Sequence, residues 1–196
     1  DQPRSRGLGD VYKRQVVIAT GAIERPLIFS NNDRPGIILS SSIKKYIDYY
    51  GVKTGENISL FTNNDSAYET AISLNKSGVK VKVIIDIREN PSSILSEKIE
   101  KIGIKILRGH TITNTDGYKR IKSIDVMKLS KDGGSVFGNK ITYKCDCLGI
   151  SGGWTPMVHL FTQSGGKLKF RNNDNVFIPD ENKTPSEQIS VGSCLL

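Results

Sequence analysis

The stretch ISLFTNNDSAYETAISLNKSGVKVKVIID, residues 58–86, decides the fold. A short apolar run at 58–61 predicts a buried strand, and 66–77 has helical periodicity ended by Gly78. The run at 79–85 alternates and then becomes fully apolar, which indicates a second strand. The apolar face of the helix carries Ala67, Thr70, Ala71 and Leu74. Strand, helix and strand in this order predict two parallel strands with a right-handed crossover.

The pattern continues downstream of this unit. Residues 94–102 have the spacing of another helix, and 104–107 that of a third strand, with His110 expected to end a strand. Residues 146–150 form one more apolar run. Alternation of strands with helices predicts a Rossmann-like parallel sheet, so the fold class is α/β.

An antiparallel ribbon interrupts the alternation of strands and helices. Residues 121–129 and 140–143 flank a turn at 131–134 that contains Asp132-Gly133. Residues 52–150 are therefore predicted to form a second dinucleotide-fold domain, which combines the parallel sheet with this ribbon.

Residues 16–51 are expected to be the end of a first FAD/NAD(P)-binding domain and a connecting helix. Val16-Val17-Ile18-Ala19 predicts a buried strand that ends in a tight turn at Thr20-Gly21-Ala22. A buried strand needs neighbours, so we expect further chain upstream of it. Residues 37–50 are predicted to be a helix that ends at Gly51. Its apolar face would carry Ile43, Tyr46, Ile47 and Tyr50.

The two ends of the chain complete this organisation. Residues 1–15 show no strand or helix period and resemble translated adapter sequence, so we expect them to lie outside the fold. Residues 151–196 are interpreted as a loop-rich, incomplete return to the first domain, with a strand at 189–191.

Composition narrows the class of protein. The chain is 37% hydrophobic and 24% charged, as in soluble globular proteins, and no apolar run approaches the ~18 residues of a membrane span. The net charge of +8 comes from scattered lysines without interleaved aromatic residues, so we expect no nucleic-acid partner and no membrane contact. The absence of a signal-peptide core and the low cysteine content suit a reducing compartment, so we expect the cytoplasm. Cys145 and Cys147 lack C-x-x-C spacing and are interpreted as small apolar residues in a buried sheet.

The turn after the first strand is where a dinucleotide fold holds pyrophosphate. Here it reads Thr62-Asn63-Asn64-Asp65-Ser66 and contains no glycine. The side chains would fill space that a pyrophosphate needs, and the charge of Asp65 would repel it. This is interpreted as a nucleotide site that has been lost or repurposed. Asp86 stands about where an acidic residue would hold an adenosine ribose, with an exposed strand-end Asp as the equal alternative.

Four segments resemble a known family. They are VVIATGAIERPLIFSNNDRPGI (16–37), LFTNNDSAYETA (60–71), CDCLGISGGWTPMVHLFTQSGGKL (145–168) and SVGSC (190–194). Together they resemble the alpha subunits of heterotetrameric sarcosine oxidases, within the glutathione- and thioredoxin-reductase superfamily. The ATG turn is shared across that superfamily, whereas TNNDSAY and SGGWTP-x-x-HL are specific.

The resemblance implies a function. These enzymes oxidise sarcosine to glycine with oxygen and pass the one-carbon unit to tetrahydrofolate. The alpha subunit holds NAD in its first dinucleotide fold and helps form an FMN site against a flavoprotein beta subunit, in an assembly with further small subunits. The amine substrate and the catalytic FAD belong to beta, so this chain is expected to contribute no catalytic residue.

The resemblance also places candidate cofactor contacts. Thr20, Gly21 and Ala22 would line the NAD site, and Gly152, Gly153 and Trp154 would re-enter it. Gly192 and Ser193 stand where flavin-binding relatives have Gly-Asp. Since Ser193 has no carboxylate to hold a ribitol, NAD is favoured there over a flavin. The turn 62–66 would contact FMN or the partner subunit.

Several alternatives remain open at this stage. An NAD(P)H-dependent disulfide reductase would need glycines at 62–67 and a C-x-x-C pair, which the chain lacks. A non-catalytic docking domain fits the glycine-free turn, and a related proline or opine dehydrogenase subunit fits the same scaffold. Trp154 either stacks on a cofactor or fills a domain junction. With only two histidines, His110 and His159, and no carboxylate or cysteine at ligand spacing, no metal site is expected.

Overall fold

The structure is a computed structural model that describes residues 15–91, 93–185 and 187–195. It divides into two compact units. Unit 1 consists of the segments that end at Ile23 and begin at Trp154, and unit 2 is Glu24–Gly153. The expectation for residues 1–15 falls almost wholly outside the described residues.

Fourteen strands and four α-helices are formed by the described residues. The strands are β1 (Val16–Ile18), β2 (Ala22–Glu24), β3 (Ile37–Leu39), β4 (Asn57–Thr62), β5 (Lys80–Asp86), β6 (Ile106–Arg108), β7 (His110–Asp116), β8 (Ser123–Leu129), β9 (Val136–Lys144), β10 (Cys147–Ser151), β11 (Trp154–Pro156), β12 (Leu168–Arg171), β13 (Val176–Pro179) and β14 (Gln188–Ser190). The helices are α1 (Ser40–Tyr50), α2 (Ser66–Lys76), α3 (Ile94–Lys101) and α4 (His159–Gln163). Two short 3₁₀ helices cover Glu181–Lys183 and Gly192–Cys194.

A five-stranded sheet organises unit 2. Its strand order is β3-β10-β4-β5-β6, and every neighbouring pair is parallel. The predicted α/β class with a parallel sheet and an antiparallel ribbon is confirmed. Strand order reverses between β4 and β10, because the chain moves outward from β4 to β6 and later returns beside β4 as β10.

Unit 2 has an apolar core on each face of this sheet. One face packs against the three helices, through residues such as Ile43 of α1, Leu74 of α2 and Ile99 of α3. The opposite face packs against the ribbon, where Ile124 and Val126 are buried. Parallel strands covered on both faces need continuous apolar runs, which is what 79–85 predicted.

The ribbon is a three-stranded antiparallel sheet of β7, β8 and β9. The sequence predicted β8 and β9 but not β7. The expectation that His110 ends a strand was wrong, since His110 begins β7. The segment HTITNTD has only one aliphatic residue, Ile112, and it becomes a strand because β8 supplies hydrogen-bonding partners along its length.

The first residues of the predicted helix 37–50 are a strand instead. Ile37–Leu39 pairs with β10, and α1 begins at Ser40. A β-branched pair next to an open sheet position gains backbone partners there. The predicted end at Gly51 is confirmed, with φ 63°. The predicted apolar face was wrong for Tyr46 and Tyr50, which are exposed.

Unit 1 contains small sheets. β1 pairs with β14 in parallel, β12 with β13 in antiparallel, and β11 with β2, whose first two residues belong to this unit. The tail is thus more regular than the predicted loop-rich return. Val16 and Val17 were predicted to be buried but are 50% and 60% exposed, because β1 has one neighbouring strand among the described residues.

Two further observations concern the described residues as a whole. None of their helices is both long and apolar enough to cross a membrane. They contain no group of three or more His, Cys, Asp or Glu placed to hold a metal ion. Cys145 and Cys147 are buried and unbridged, as predicted, and desolvation raises the pKa of the Cys145 thiol to about 12.

Candidate functional site

The carboxyl edge of the parallel sheet in unit 2 is the first candidate site. In open α/β sheets, ligands bind outside the carboxyl ends of the strands at the point where strand order reverses. Here that point lies between β4 and β10. It brings together the turn at 62–66, the end of β10 at Ser151-Gly152 and, one strand further, Asp86.

The turn holds its shape with its own side chains. The Thr62 hydroxyl accepts from the Asn64 backbone N–H at 3.0 Å and donates to the Asn64 carbonyl at 2.8 Å. The Asn64 side-chain oxygen accepts from the Ser66 backbone N–H at 3.0 Å. That N–H is one of the first donors of α2, which a phosphate would otherwise use.

The same turn is tied to β10 across the crevice. The Asn64 side-chain amide donates to the Ser151 carbonyl at 3.2 Å and to the Ser151 hydroxyl at 3.0 Å. The Asn63 amide donates to the Gly152 carbonyl at 3.4 Å. Four of the five predicted turn residues are thus brought together, but they contact one another and β10.

Asp86, at the end of β5, is fully buried. One carboxylate oxygen accepts from the Arg88 backbone N–H at 2.8 Å and from its Nε at 3.1 Å. The other accepts from the Tyr68 hydroxyl at 2.5 Å and from Arg88 Nη2 at 2.8 Å. The alternative of an exposed strand-end Asp was therefore wrong, and both oxygens already have intramolecular donors.

Arg88 connects this carboxylate to the phosphate turn. Its Nη2 also contacts the Asp65 carboxylate at 2.7 Å, and its guanidinium lies 5.9 Å from the Tyr68 ring centre. Burial lowers the pKa of Arg88, but hydrogen bonds to Asp86 and Asp65 outweigh it and raise that pKa. Burial and the hydrogen bond to Asp86 raise the pKa of Tyr68. The cluster is a fixed cation between two carboxylates.

Sequence reasoning missed the residues that complete this cluster: Arg88, Tyr68 and Ser151. Arg88 follows Asp86 by two residues, so the spacing could have suggested its contact with that carboxylate. Nothing in the sequence pairs it with Asp65, 23 residues away. Ser151 meets Asn64 only through the pairing of β4 with β10.

Gly152 and Gly153 have a local structural reason for being glycines. A Cβ on Gly152 would lie 2.8 Å from the Pro26 carbonyl oxygen, and Gly153 has φ +98°. Backbone hydrogen bonds of 2.7 and 2.8 Å join the two glycines to Arg25. Their predicted role as cofactor contacts is a separate matter and stays a prediction.

In unit 1, the carboxyl ends of β1 and β14 form the second candidate site. The two strands are parallel and adjacent, with Ile18 beside Ser190. Thr20-Gly21 therefore follows one strand and Gly192-Ser193 the other. The Thr20 hydroxyl donates to the Met157 carbonyl, and Met157 N–H donates to the Gly21 carbonyl at 2.9 Å.

Both glycines of this second site face open space. Gly21 has φ +75° and Gly192 has φ +74°, and a Cβ on either would meet no atom within 4 Å. Ser193 is exposed. Ala22 begins β2, and Trp154, which is half-buried, begins the neighbouring β11. Backbone that is bare and positively twisted at the ends of parallel strands suits close approach of a ligand.

Comparison with curated proteins identifies relatives along most of the chain. It is 37% identical over 172 residues to the sarcosine oxidase subunit alpha of Corynebacterium sp. (strain P-1), covering 87% of this chain and 17% of the relative. The corresponding subunit of Corynebacterium sp. (strain U-96) is 35% identical over 184 residues, covering 91% and 19%. That of Rhizobium meliloti (strain 1021) is 34% identical over 153 residues, covering 78% and 14%. The chain thus spans less than a fifth of the length of these relatives, and no family model matches it.

Solved structures share the fold at lower identity. Thioredoxin reductase from T. acidophilum superposes with a TM-score of 0.68 at 19% identity, covering 93% of this chain and 58% of that one. L-Proline dehydrogenase from P. horikoshii gives 0.63 at 22% identity, covering 92% and 30%. The chain is therefore homologous to a segment of the sarcosine oxidase alpha subunits and has the fold of thioredoxin-reductase-like FAD/NAD(P) oxidoreductases.

Proposed function

We propose that the chain is the part of a sarcosine oxidase-type alpha subunit that holds NAD and positions a partner flavoprotein. The amine-oxidising residues and the substrate would lie in the beta subunit, and the assembly would oxidise sarcosine to glycine with a link to tetrahydrofolate. In this proposal the chain serves binding and assembly and contributes no catalytic residue.

The parallel pairing of β1 with β14 carries the NAD part of the proposal. It sets the Thr20-Gly21 turn and the Gly192-Ser193 turn at the carboxyl ends of adjacent strands, both with open space at the glycine. Similarity to the alpha subunits over most of the chain supports the same assignment at the level of the family.

The residues of unit 1 fit a dinucleotide. The bare backbone at Gly21 and Gly192 would let a pyrophosphate approach. Ser193 offers a hydroxyl where flavin-binding relatives would offer a carboxylate, which favours NAD over FAD. Ala22 and Trp154 would border the site. When bound, the dinucleotide could supply hydride-transfer chemistry, while the chain's own residues only bind and orient it.

The FMN part of the proposal concerns the partner subunit. We place the shared FMN site near the turn at 62–66 and the segment Gly152-Gly153, which face outward from the edge of the sheet of unit 2. The relatives are named as alpha subunits, which supports an assembly with other subunits. The flavoprotein beta subunit and further small subunits, in the cytoplasm, are the partners proposed here.

The NAD site is tested with matched glycine variants of the chain. Gly21→Val fills the open space at the proposed site, whereas Gly165→Val introduces the same kind of strain at φ +95°, also in open space and outside the site. Calorimetric titration should show NAD binding to the wild type and to Gly165→Val but not to Gly21→Val. Equal affinity in all three proteins would contradict the proposal.

The preference for NAD over FAD is tested at Ser193. Ser193→Asp restores the carboxylate of flavin-binding relatives, and a hydrogen bond to a charged group is worth about 1.5–3 kcal/mol. The ratio of FAD to NAD affinity should therefore rise about tenfold or more, with Ser193→Ala as the control. An unchanged ratio would show that position 193 does not discriminate.

Two other functions remain as alternatives. The structural similarity to L-proline dehydrogenase favours a subunit acting on another secondary amine, such as proline or an opine. Oxygen uptake by the assembled enzyme with sarcosine and with L-proline would separate the two. The second alternative is a non-catalytic docking domain, favoured by the side-chain-filled turn at 62–66. Absence of NAD binding at millimolar concentration would favour it.

A further inference from the structure

The carboxyl edge of unit 2 holds a guanidinium where a dinucleotide fold holds a nucleotide. Arg88 extends from the end of β5 to the first residue before α2 and contacts Asp86 and Asp65 at 2.8 and 2.7 Å. In a dinucleotide fold those two places are occupied by the ribose-binding acid and the phosphate turn. Arg88 thus spans the distance that an adenosine ribose and its phosphate would span.

The contacts of Arg88 form a fitted pocket. Asp86 is fully buried and presents both oxygens to the guanidinium, while Tyr68 donates to the same carboxylate and lies beneath the guanidinium plane. Planar, forked donors and paired carboxylate oxygens match in geometry, which makes such contacts selective for a guanidinium over an ammonium.

The charge of the cluster excludes a polyphosphate. Asp65 and Asp86 carry two negative charges and Arg88 one positive charge, so the formal sum is −1. The Asn64 side chain already caps α2, which removes a donor that a phosphate would use. A monocation therefore completes this edge of the sheet, and a dianionic pyrophosphate would not.

We propose that Arg88 is a built-in substitute for a nucleotide, and that the carboxyl edge of unit 2 is a guanidinium-binding pocket filled by the chain itself. The site takes a planar guanidinium cation and rejects nucleotides. This proposal concerns unit 2 alone and does not depend on NAD binding in unit 1, so each can fail without the other.

Chemical rescue tests the pocket directly. Arg88→Ala leaves the buried Asp86 carboxylate without its cation, and the melting temperature of the chain should fall by about 5–10 °C. Ethylguanidinium at millimolar concentration should recover at least half of that loss, and ethylammonium should recover little. Arg108→Ala is the matched control, because Arg108 ends the neighbouring strand and pairs with the half-exposed Glu100. It should lower the melting temperature slightly and show no rescue.

Three results would overturn the proposal. They are destabilisation without rescue, equal rescue by ethylammonium, and rescue of the Arg108→Ala control. If Arg88→Ala fails to fold, Arg88→Lys keeps the charge without the fork and should fold with a smaller loss. NADP provides the second measurement. Any rise in melting temperature that NADP causes should be equal in the wild type and in Arg88→Lys, whereas a rise lost in the variant would make Arg88 a nucleotide ligand.

Discussion

The two units end their parallel strands in opposite ways. In unit 2 the carboxyl edge is filled by side chains that contact one another, with Asn64 bound to Ser151 and Arg88 bound to Asp86 and Asp65. In unit 1 the corresponding edge is bare backbone, with open space at Gly21 and Gly192. A strand-turn-helix pattern therefore indicates the fold of a nucleotide site, while the side chains at the turn determine whether space for a nucleotide remains.

The difference has an energetic consequence. A filled edge satisfies its polar groups internally, so unit 2 needs no ligand to complete it. A bare edge leaves backbone groups for water or for a ligand. The filled edge should therefore be sensitive to mutation and insensitive to nucleotides, and the bare edge should behave in the opposite way.

Alkaline pH should have the largest effect, and it acts on the filled unit. Desolvation raises the pKa of Cys145 to about 12 from an ordinary value of 9.0, and burial likewise raises that of Tyr68 above 10.0. Both groups therefore stay protonated in the folded chain when the unfolded chain has lost the proton. Their stabilisation is complete below pH 9 and is lost above it, at about 1.4 kcal/mol per pH unit for each group.

Denaturant titrations between pH 8 and pH 12 measure this loss. The Cys145 thiol alone should account for about 4 kcal/mol by pH 12. In Cys145→Ala the decline should begin near pH 10 rather than pH 9. A decline that begins at the same pH in the wild type and in the variant would exclude Cys145 as its source.

Gly152→Ala should be the most damaging of the point substitutions discussed here. The added Cβ would lie 2.8 Å from the Pro26 carbonyl oxygen and 3.0 Å from that of Arg25. Backbone atoms cannot rotate away, so we expect a loss of about 3 kcal/mol in the free energy of unfolding. Urea denaturation measures it, and a loss below 1 kcal/mol would mean that the approach of the two chain segments is looser than the structure indicates.

Tyr68→Phe should have an intermediate effect. It removes the hydroxyl that donates to Asp86 at 2.5 Å while leaving the ring beneath Arg88. A hydrogen bond to a buried charged group is worth about 2 kcal/mol. Urea denaturation at pH 7 should show this loss, and the alkaline decline above pH 10 should become shallower in the same variant. An unchanged alkaline slope would contradict the assignment of that titration to Tyr68.

Gly192→Ala should have the smallest effect, and it tests the bare edge. The methyl group meets no atom within 4 Å, so only the left-handed backbone at φ +74° opposes it. We expect a loss of about 1 kcal/mol in the free energy of unfolding. A loss as large as that of Gly152→Ala would mean that the end of β14 is packed, and the contrast between the two units would disappear.

Much of the fold of unit 2 could be predicted from the sequence. Residues 58–86 state the strand, helix and strand through local periodicity, and the αL glycines at 51 and 78 mark helix ends. β7 could not be predicted, because HTITNTD has a weak apolar pattern and becomes a strand by pairing with β8. The exposed Val16 and Val17 were mispredicted for a related reason, since burial depends on neighbouring strands rather than on the residue itself.

The sequence by itself determined the α/β class, the glycine-free turn at 62–66 and the family resemblance, because each is a property of residues close together in the chain. Only the tertiary structure decided what the turn does. Asp65 meets Arg88, and Asn64 meets Ser151, through the parallel pairing of β4 with β5 and β10. Contacts between residues 23 and 87 positions apart are set by strand register, which no local pattern encodes.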